Sequence, residues 1–252
     1  MPRRAVAAAF ALVALLSACT SRIEAAVLTP EPLPAPASTA APAPTTPYPF
    51  GQVQRQAPPV TDGKVPQLNR IDIAEPYVFL TIDDGAIPHP DAPSLIRESG
   101  AHPVLFLNAR YVRGHEDYFR EVLAAGATLG DHTIDHPDLR GKPLAYQEQQ
   151  ICGDADELQR MLGVRPVYFR PPFGSFDQNT LKAAANCGMR ASVLWTESVN
   201  DGRVDFQTGK HLRAGDVVLM HFRKTFPEDF AAFLRQSKED GLTPVPLPDF
   251  LG

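Results

Sequence analysis

An α/β fold built of βα units around a largely parallel sheet is predicted by two features of residues 67–252. Short apolar runs alternate there with longer helical patterns. The runs number about seven, which predicts a closed or nearly closed βα barrel, with an open doubly wound sheet as the alternative. A third feature concerns placement: acidic residues, histidines and an arginine follow the ends of several apolar runs. In a βα barrel those ends converge on one face, where active sites form.

The first 66 residues stand apart. Arg3 and Arg4 precede the apolar run Ala5 to Leu16, which ends in Leu16-Ser17-Ala18-Cys19. A basic start, a short apolar stretch and small residues describe a secretory signal over residues 1–18. The run is too short to span a bilayer comfortably. Leu-Ser-Ala-Cys resembles a bacterial lipobox, so Cys19 is expected to be lipidated and to anchor the chain on the outer face of the cytoplasmic membrane; plain secretion is the other outcome. Residues 19–66 are expected to form a spacer. Eleven of the 26 prolines fall between Ala26 and Pro66, and proline lacks the amide donor that helices and inner strands need. No internal repeat is present.

Within residues 67–252, strands are expected at Tyr77–Ile82, Pro103–Leu107, Thr128–Gly130, Val167–Phe169, Ala191–Trp195, Val217–Met220 and Thr243–Val245. Helices are expected at Ala92–Ser99, Glu116–Ala125, Leu144–Leu162, Gln178–Cys187 and Pro227–Asp240. No glycine-rich phosphate loop follows the first strand, which argues against nucleotide binding. Loss of the leader leaves 22 basic against 29 acidic side chains, and a net charge of −7 argues against a nucleic-acid partner. Cys152 and Cys187 are left as an even pair, either a disulfide or two separate buried thiols. Oligomeric state is not readable.

The chemistry-bearing residues come in order along the chain. The first strand ends in Asp83-Asp84-Gly85, and consecutive side chains in an extended chain point opposite ways. His132 and His136 are four apart, and on one helical turn their imidazoles would share a face. With Thr133 where a zincin has Glu, a carboxylate ligand must come from elsewhere, and the first strand supplies one. Two histidines and one aspartate leave positions open for water and substrate. Arg170-Pro171-Pro172-Phe173-Gly174 forms a stiff turn that can hold a backbone N–H for an oxyanion, and Arg170 can pair with a carboxylate. Asp201 and His221 follow the fifth and sixth strands. Taken singly, each motif has an ordinary explanation: an acidic turn, surface histidines, a structural Pro-Pro turn, a rim histidine.

Taken together, the segments Thr81–Gly85, His132–His136, Arg170–Gly174, Trp195–Asp201 and Leu219-Met220-His221 resemble, in order, the five motifs of NodB-type polysaccharide deacetylases, carbohydrate esterase family four. The resemblance covers about Pro76 to Gly252. It implies a distorted (β/α)7 barrel and a divalent metal, often Zn2+, with Co2+, Ni2+ or Mn2+ able to serve. It implies Asp84, His132 and His136 as metal ligands, Asp83 as general base and Arg170 as the residue that orients Asp83 and keeps it ionised. His221 would be the general acid, Asp201 would align or tune it, and the Phe173 backbone N–H would help hold the oxyanion. The implied substrate is an acetylated polysaccharide, with N-deacetylation of peptidoglycan expected; the alternatives are an O-acetyl esterase acting on xylan or another glycan, and a non-catalytic wall-binding protein. Several positions depart from the family: Ile82 replaces a common Phe, Phe173 a common Tyr, Ser198 stands where an Asp is usual, Gly202 where a Trp usually lines the pocket, and the stretch Ala86–Pro90 after the first motif also differs.

Overall fold

The computed structural model describes residues 48–252. The signal segment and Cys19 lie outside the described residues, as does most of the expected spacer. No helix among the described residues is long and apolar enough to cross a membrane.

The strands run β1 (Gln67–Leu68), β2 (Tyr77–Asp84), β3 (Val104–Leu107), β4 (Thr128–Asp131), β5 (Tyr168–Phe169), β6 (Ala191–Val193), β7 (Glu197–Asn200), β8 (Arg203–Phe206), β9 (Val217–His221) and β10 (Thr243–Pro244). The helices are α1 (Ala92–Ser99), α2 (Ala109–Val112), α3 (Glu116–Ala124), α4 (Leu144–Leu162), α5 (Gln178–Asn186) and α6 (Phe226–Glu239). Sheet order is β1-β6-β5-β4-β3-β2-β9-β7-β8, with β10 pairing β2. All pairings are parallel except β7 with β8. The hydrogen-bonded path does not return from β8 to β1, so the sheet is a half-barrel, the distorted (β/α)7 architecture rather than a closed ring.

β2 shows how sequence periodicity builds this form. Val78, Leu80 and Ile82 pack outward with residues of α1, α3 and α6, whereas Phe79 packs inward with Val104, Phe106 and Val217. Alternate residues of a strand share a face, so Thr81 and Asp83 continue the inward line of Phe79. Helix ends follow local chemistry. Gly100 and Gly163 close α1 and α4 in the left-handed conformation, which glycine adopts without steric cost. Asp177 and Thr180 form a capping box at the start of α5.

Three sequence expectations change. Residues 48–66, assigned to the spacer, are tied to the domain: the Tyr48 hydroxyl donates to Asp249 at 2.8 Å, the Ala57 amide to Leu251 O at 3.1 Å, and Val65 is buried. Tyr48 and Val65 supply apolar contact that the proline count obscures. The segment Trp195–Asp201, where no further strand is expected, contains β7, which turns back through Asp201-Gly202 into β8. Cys152 in α4 and Cys187 at the end of α5 form a disulfide, Cα–Cα 4.9 Å, where the sequence left pairing open.

Candidate active site

The C-terminal ends of β2, β4, β5 and β9 border one cavity of about 450 Å³. Asp83, Asp84, His132, His136 and His221 line it, with Phe173, Trp195, Leu219 and Arg223 at its walls. Asp83 and Asp84 both face it despite strand alternation. The reason is the backbone of Asp84, which has φ +73°; that left-handed turn at the strand end redirects a side chain that would otherwise point outward. Gly85 follows at φ +85°, and a Cβ there would lie 2.9 Å from Phe119 Cζ.

His132 and His136 do not share a helical turn. β4 ends at Asp131, and Thr133 and His136 take φ +73° and +60° in an irregular loop. The helical reading of HxxxH is corrected on this point. The loop is held by Asn108, whose side-chain amide donates to His132 O at 2.5 Å and Thr133 O at 2.9 Å, and by the His136 amide donating to Thr133 Oγ1 at 3.0 Å. Asp154 of α4 accepts from the His132 amide at 3.2 Å and the Ala109 amide at 2.7 Å. Burial holds both Asp131 and Asp154 well above the usual carboxylate range, and the Asp154 carboxyl adds to the rise at Asp131. Asn108 and Asp154 went unmarked in the sequence. Asn108 had a signal, since it follows the β3 strand end; Asp154 lies mid-helix and had none.

Asp84 Oδ1 is 3.6 Å from His132 Nε2 and 3.6 Å from His136 Nε2. All three donor atoms lie within 4.8 Å of one another. His132 Nδ1 is 2.7 Å from Arg170 O, so the proton belongs on Nδ1 and the Nε2 lone pair faces Asp84. Burial pushes the His132 imidazole down to about 3, so it stays neutral as a ligand must. Two imidazole nitrogens and a carboxylate oxygen, with space in front of them, fit a divalent ion of the zinc type.

Asp83 stands beside this triangle, its Oδ2 3.6 Å from His132 Nε2. Its Oδ1 accepts from Arg170 Nη1 at 2.7 Å. Arg170 is fully buried and satisfied on each nitrogen: Nε donates to Val193 O, Nη1 also to Thr81 Oγ1, and Nη2 to Leu194 O. Its guanidinium carbon lies 4.3 Å from the centre of the Phe106 ring. The orienting role expected of Arg170 is thus built in. Its electrostatic role is only partial, because burial outweighs the arginine and raises the Asp83 carboxyl above its ordinary value.

His221 is the register neighbour of Asp83 across β2 and β9. Burial pushes its imidazole down to about 4, against the pull of Asp83. Asp201 is not its partner. Asp201 and Gly202 form the two-residue turn between β7 and β8 with φ +50° and +73°, the geometry that favours Asp-Gly in tight hairpins. Asp201 is exposed at that tip, and the buried His221 Nδ1 has no hydrogen-bond partner among the described residues. The expectation that Asp201 aligns His221 is therefore corrected. The Asp-Gly pair was the overlooked hairpin signal. Arg223, which the sequence also left unmarked, stands at the cavity wall with Nη1 donating to Asn200 Oδ1 at 2.7 Å.

Phe173 has φ +61° and is 68% exposed. Its ring meets the His136 ring edge-on at 4.6 Å. Its amide makes no hydrogen bond among the described residues, which leaves that donor free at the mouth of the site.

A family model described as "polysaccharide deacetylase" matches residues 71–192. Over those residues the chain is similar to this family. Its relatives include an uncharacterized Streptomyces coelicolor protein, 40% identical over 166 residues, covering 65% of this chain and 64% of that protein. A chitooligosaccharide deacetylase of Azorhizobium caulinodans is 28% identical over 166 residues, 62% of this chain and 78% of the relative. The solved structure of Bacillus subtilis PdaA, a family 4 carbohydrate esterase, has TM-score 0.63 at 20% identity, covering 79% of this chain and 93% of that one. The chain spans less than two thirds of the length of the first two curated relatives it matches, 64% and 48%. All five motif segments border the cavity or brace its walls, apart from the Asp201 tip.

Proposed function

We propose that the protein is an exported, metal-dependent hydrolase that removes N-acetyl groups from an N-acetylhexosamine polysaccharide, with peptidoglycan as the favoured polymer. The observation that carries this reading is the juxtaposition of the Asp84, His132 and His136 donors with Asp83 and His221 in one cavity. The named activities of the relatives support it, among them chitooligosaccharide deacetylase and, for PdaA, peptidoglycan-N-acetylmuramic acid deacetylase. Export and lipid attachment at Cys19 rest on the leader and lipobox pattern alone, and they favour a wall polymer as substrate. Zn2+ is proposed for the Asp84-His132-His136 set on its ligand chemistry.

A divalent ion held there would polarise the acetyl carbonyl and lower the pKa of a water. The chain's own groups do the rest. Asp83, fixed by Arg170, takes the proton of the attacking water; burial raises its proton affinity above that of an ordinary carboxylate, the direction a general base needs. The free amide of Phe173 donates to the oxygen that becomes negative. His221 rests neutral, so it cannot donate at once. Negative charge growing beside it raises its proton affinity; it takes up the proton that Asp83 has accepted and passes it to the departing nitrogen. Acetate and a free amino sugar leave, and Asp83 is again ionised.

The test is acetate release by the zinc-loaded protein from peptidoglycan, chitooligosaccharides, acetylxylan and a small aryl acetate. Release from the first two is expected. Release only from the last two would make the protein an O-acetyl esterase. No release from any, with an empty metal site by elemental analysis, would make it a wall-binding protein. Asp83→Asn is expected to keep the metal and lose most turnover; loss of the metal would exchange the roles of Asp83 and Asp84.

A further inference from the structure

We propose that a second cleft, lined by Gln67, Asn69, Gln207, Leu194, Trp195 and Phe173, binds a neutral sugar ring of the same glycan, next to the ring being deacetylated. The proposal rests on the deacetylase reading for the identity of the glycan, and on geometry for the rest.

The cleft has a volume of about 270 Å³. It shares Trp195 and Phe173 with the reaction cavity. A polymer with one ring over Asp84 and His136 would cross those two aromatic side chains and enter the cleft. The position of the walls follows from the sheet. β1 joins the edge of β6 with Gln67 opposite Ser192 and Leu68 opposite Val193, and Leu194 N donates to Leu68 O at 2.6 Å. Gln207 follows β8, its amide fixed by the buried Glu197 at 2.6 Å.

The wall chemistry selects the occupant. Three primary amides each offer a donor and an acceptor, and no charged side chain lines the cleft. That pattern suits the hydroxyl and acetamido groups of an uncharged sugar and gives a cation or anion no partner. Trp195 and Phe173 add apolar faces for the C–H side of a pyranose ring. Arg223, by contrast, lines only the reaction cavity.

Two observations separate this cleft from an ordinary surface dent. Gln67 Nε2 is buried and has no hydrogen-bond partner among the described residues; a buried donor left unpaired is costly, and a turn of the Gln67 amide into the cleft would let a ligand oxygen satisfy it. Phe173 is held in a left-handed backbone with most of its ring in solvent, a strained and apolar exposure that burial under a sugar ring would offset. Trp195 is fixed beside it: a Cβ on Gly174 would meet Trp195 Cη2 at 3.1 Å, and the Arg170 guanidinium lies 5.5 Å from the Trp195 ring centre.

Trp195 is the only tryptophan in the chain, so its fluorescence reads the cleft directly. The experiment compares the zinc-loaded full chain with Gln67→Ala and with Gln207→Ala. Rates of acetate release are taken on chitotetraose and on a small aryl acetate, and Trp195 emission is followed on addition of chitotetraose. Each substitution is expected to lower the ratio of kcat/KM for chitotetraose over aryl acetate roughly three- to tenfold, as loss of one hydrogen bond does, through KM rather than kcat. Saturation of the emission change should shift to higher chitotetraose by a similar factor. An unchanged ratio and an unchanged emission curve in the variants would overturn the subsite while leaving the deacetylase reading standing. No acetate from any glycan, with emission still saturating and still weakened by Gln67→Ala, would overturn the deacetylase reading and leave the subsite. Gln207 is exposed, so its variant carries the test if Gln67→Ala does not fold.

Discussion

On one side of the reaction cavity, where β2, β4 and β5 end, His132 and Asp83 are held from behind. His132 is fixed through its amide, its carbonyl and its ring nitrogen by Asp154, Asn108 and Arg170 O. Asp83 is fixed by a buried arginine that is itself satisfied on every nitrogen. On the opposite side, where β7 and β9 end, His221 has only its strand and the pressure of burial, and Nδ1 has no partner among the described residues. The neighbouring Asn200, Ser198 and Asp205 hydrogen-bond among themselves, and Asn200 also to Arg223, instead. The difference follows from what each side must do. In the proposed mechanism the ligands need fixed positions and tautomers and the base Asp83 a fixed place beside the water, whereas His221 must take up a proton and pass it on to the leaving nitrogen.

The contrast can be broken from the braced side first. His132→Ala should empty the metal site and abolish acetate release; elemental analysis of the purified variant checks it, and a retained ion would show that the triangle is not the metal site. Arg170→Met leaves Asp83 buried without its partner, which costs about 3–5 kcal/mol. Urea unfolding of the variant should show that loss, and a wild-type midpoint would mean that the brace contributes little.

Changes on the other side should spare the metal. His221→Ala should lower kcat roughly 10²- to 10⁴-fold, the range of a lost general acid, with metal content kept. A further consequence concerns pH. An unfolded imidazole titrates near 6.5, whereas burial holds that of His221 near 4. The unfolded state therefore takes up the proton first, and stability falls as pH drops between those values. His221→Ala should lose less stability than wild type between pH 6.5 and 4 in matched unfolding curves; parallel curves would place His221 in solvent. Asp201→Asn is the smallest change: kcat within about twofold and stability within about 0.5 kcal/mol, as for surface sites. A large fall in kcat would restore Asp201 to the role that the family resemblance implied.

Much of the architecture was legible because its cause is local. Strands such as Val104–Leu107 are wholly buried and read as unbroken apolar runs. Helix α4 was readable end to end, since its pattern stops at a glycine. The hairpin of β7 and β8 escaped because four-residue strands carry little periodicity, although Asp201-Gly202 marked its turn. The strapping of residues 48–66 escaped because proline composition reports what a segment cannot form, not what it touches.

Sequence alone determined which residues stand at the strand ends, and with them the candidate metal ligands, base and acid, because motif spacing and strand periodicity are properties of neighbouring residues. Only the tertiary structure decided how those residues are used. It set Asp84 in a left-handed turn toward the cavity, brought His136 to His132 through an irregular loop, placed Asp201 out in solvent and paired Cys152 with Cys187. It also brought Gln67, Trp195 and Gln207 around one cleft. Each of these depends on contacts between segments distant in the chain, where the energy of packing and burial outweighs the preference of any single residue.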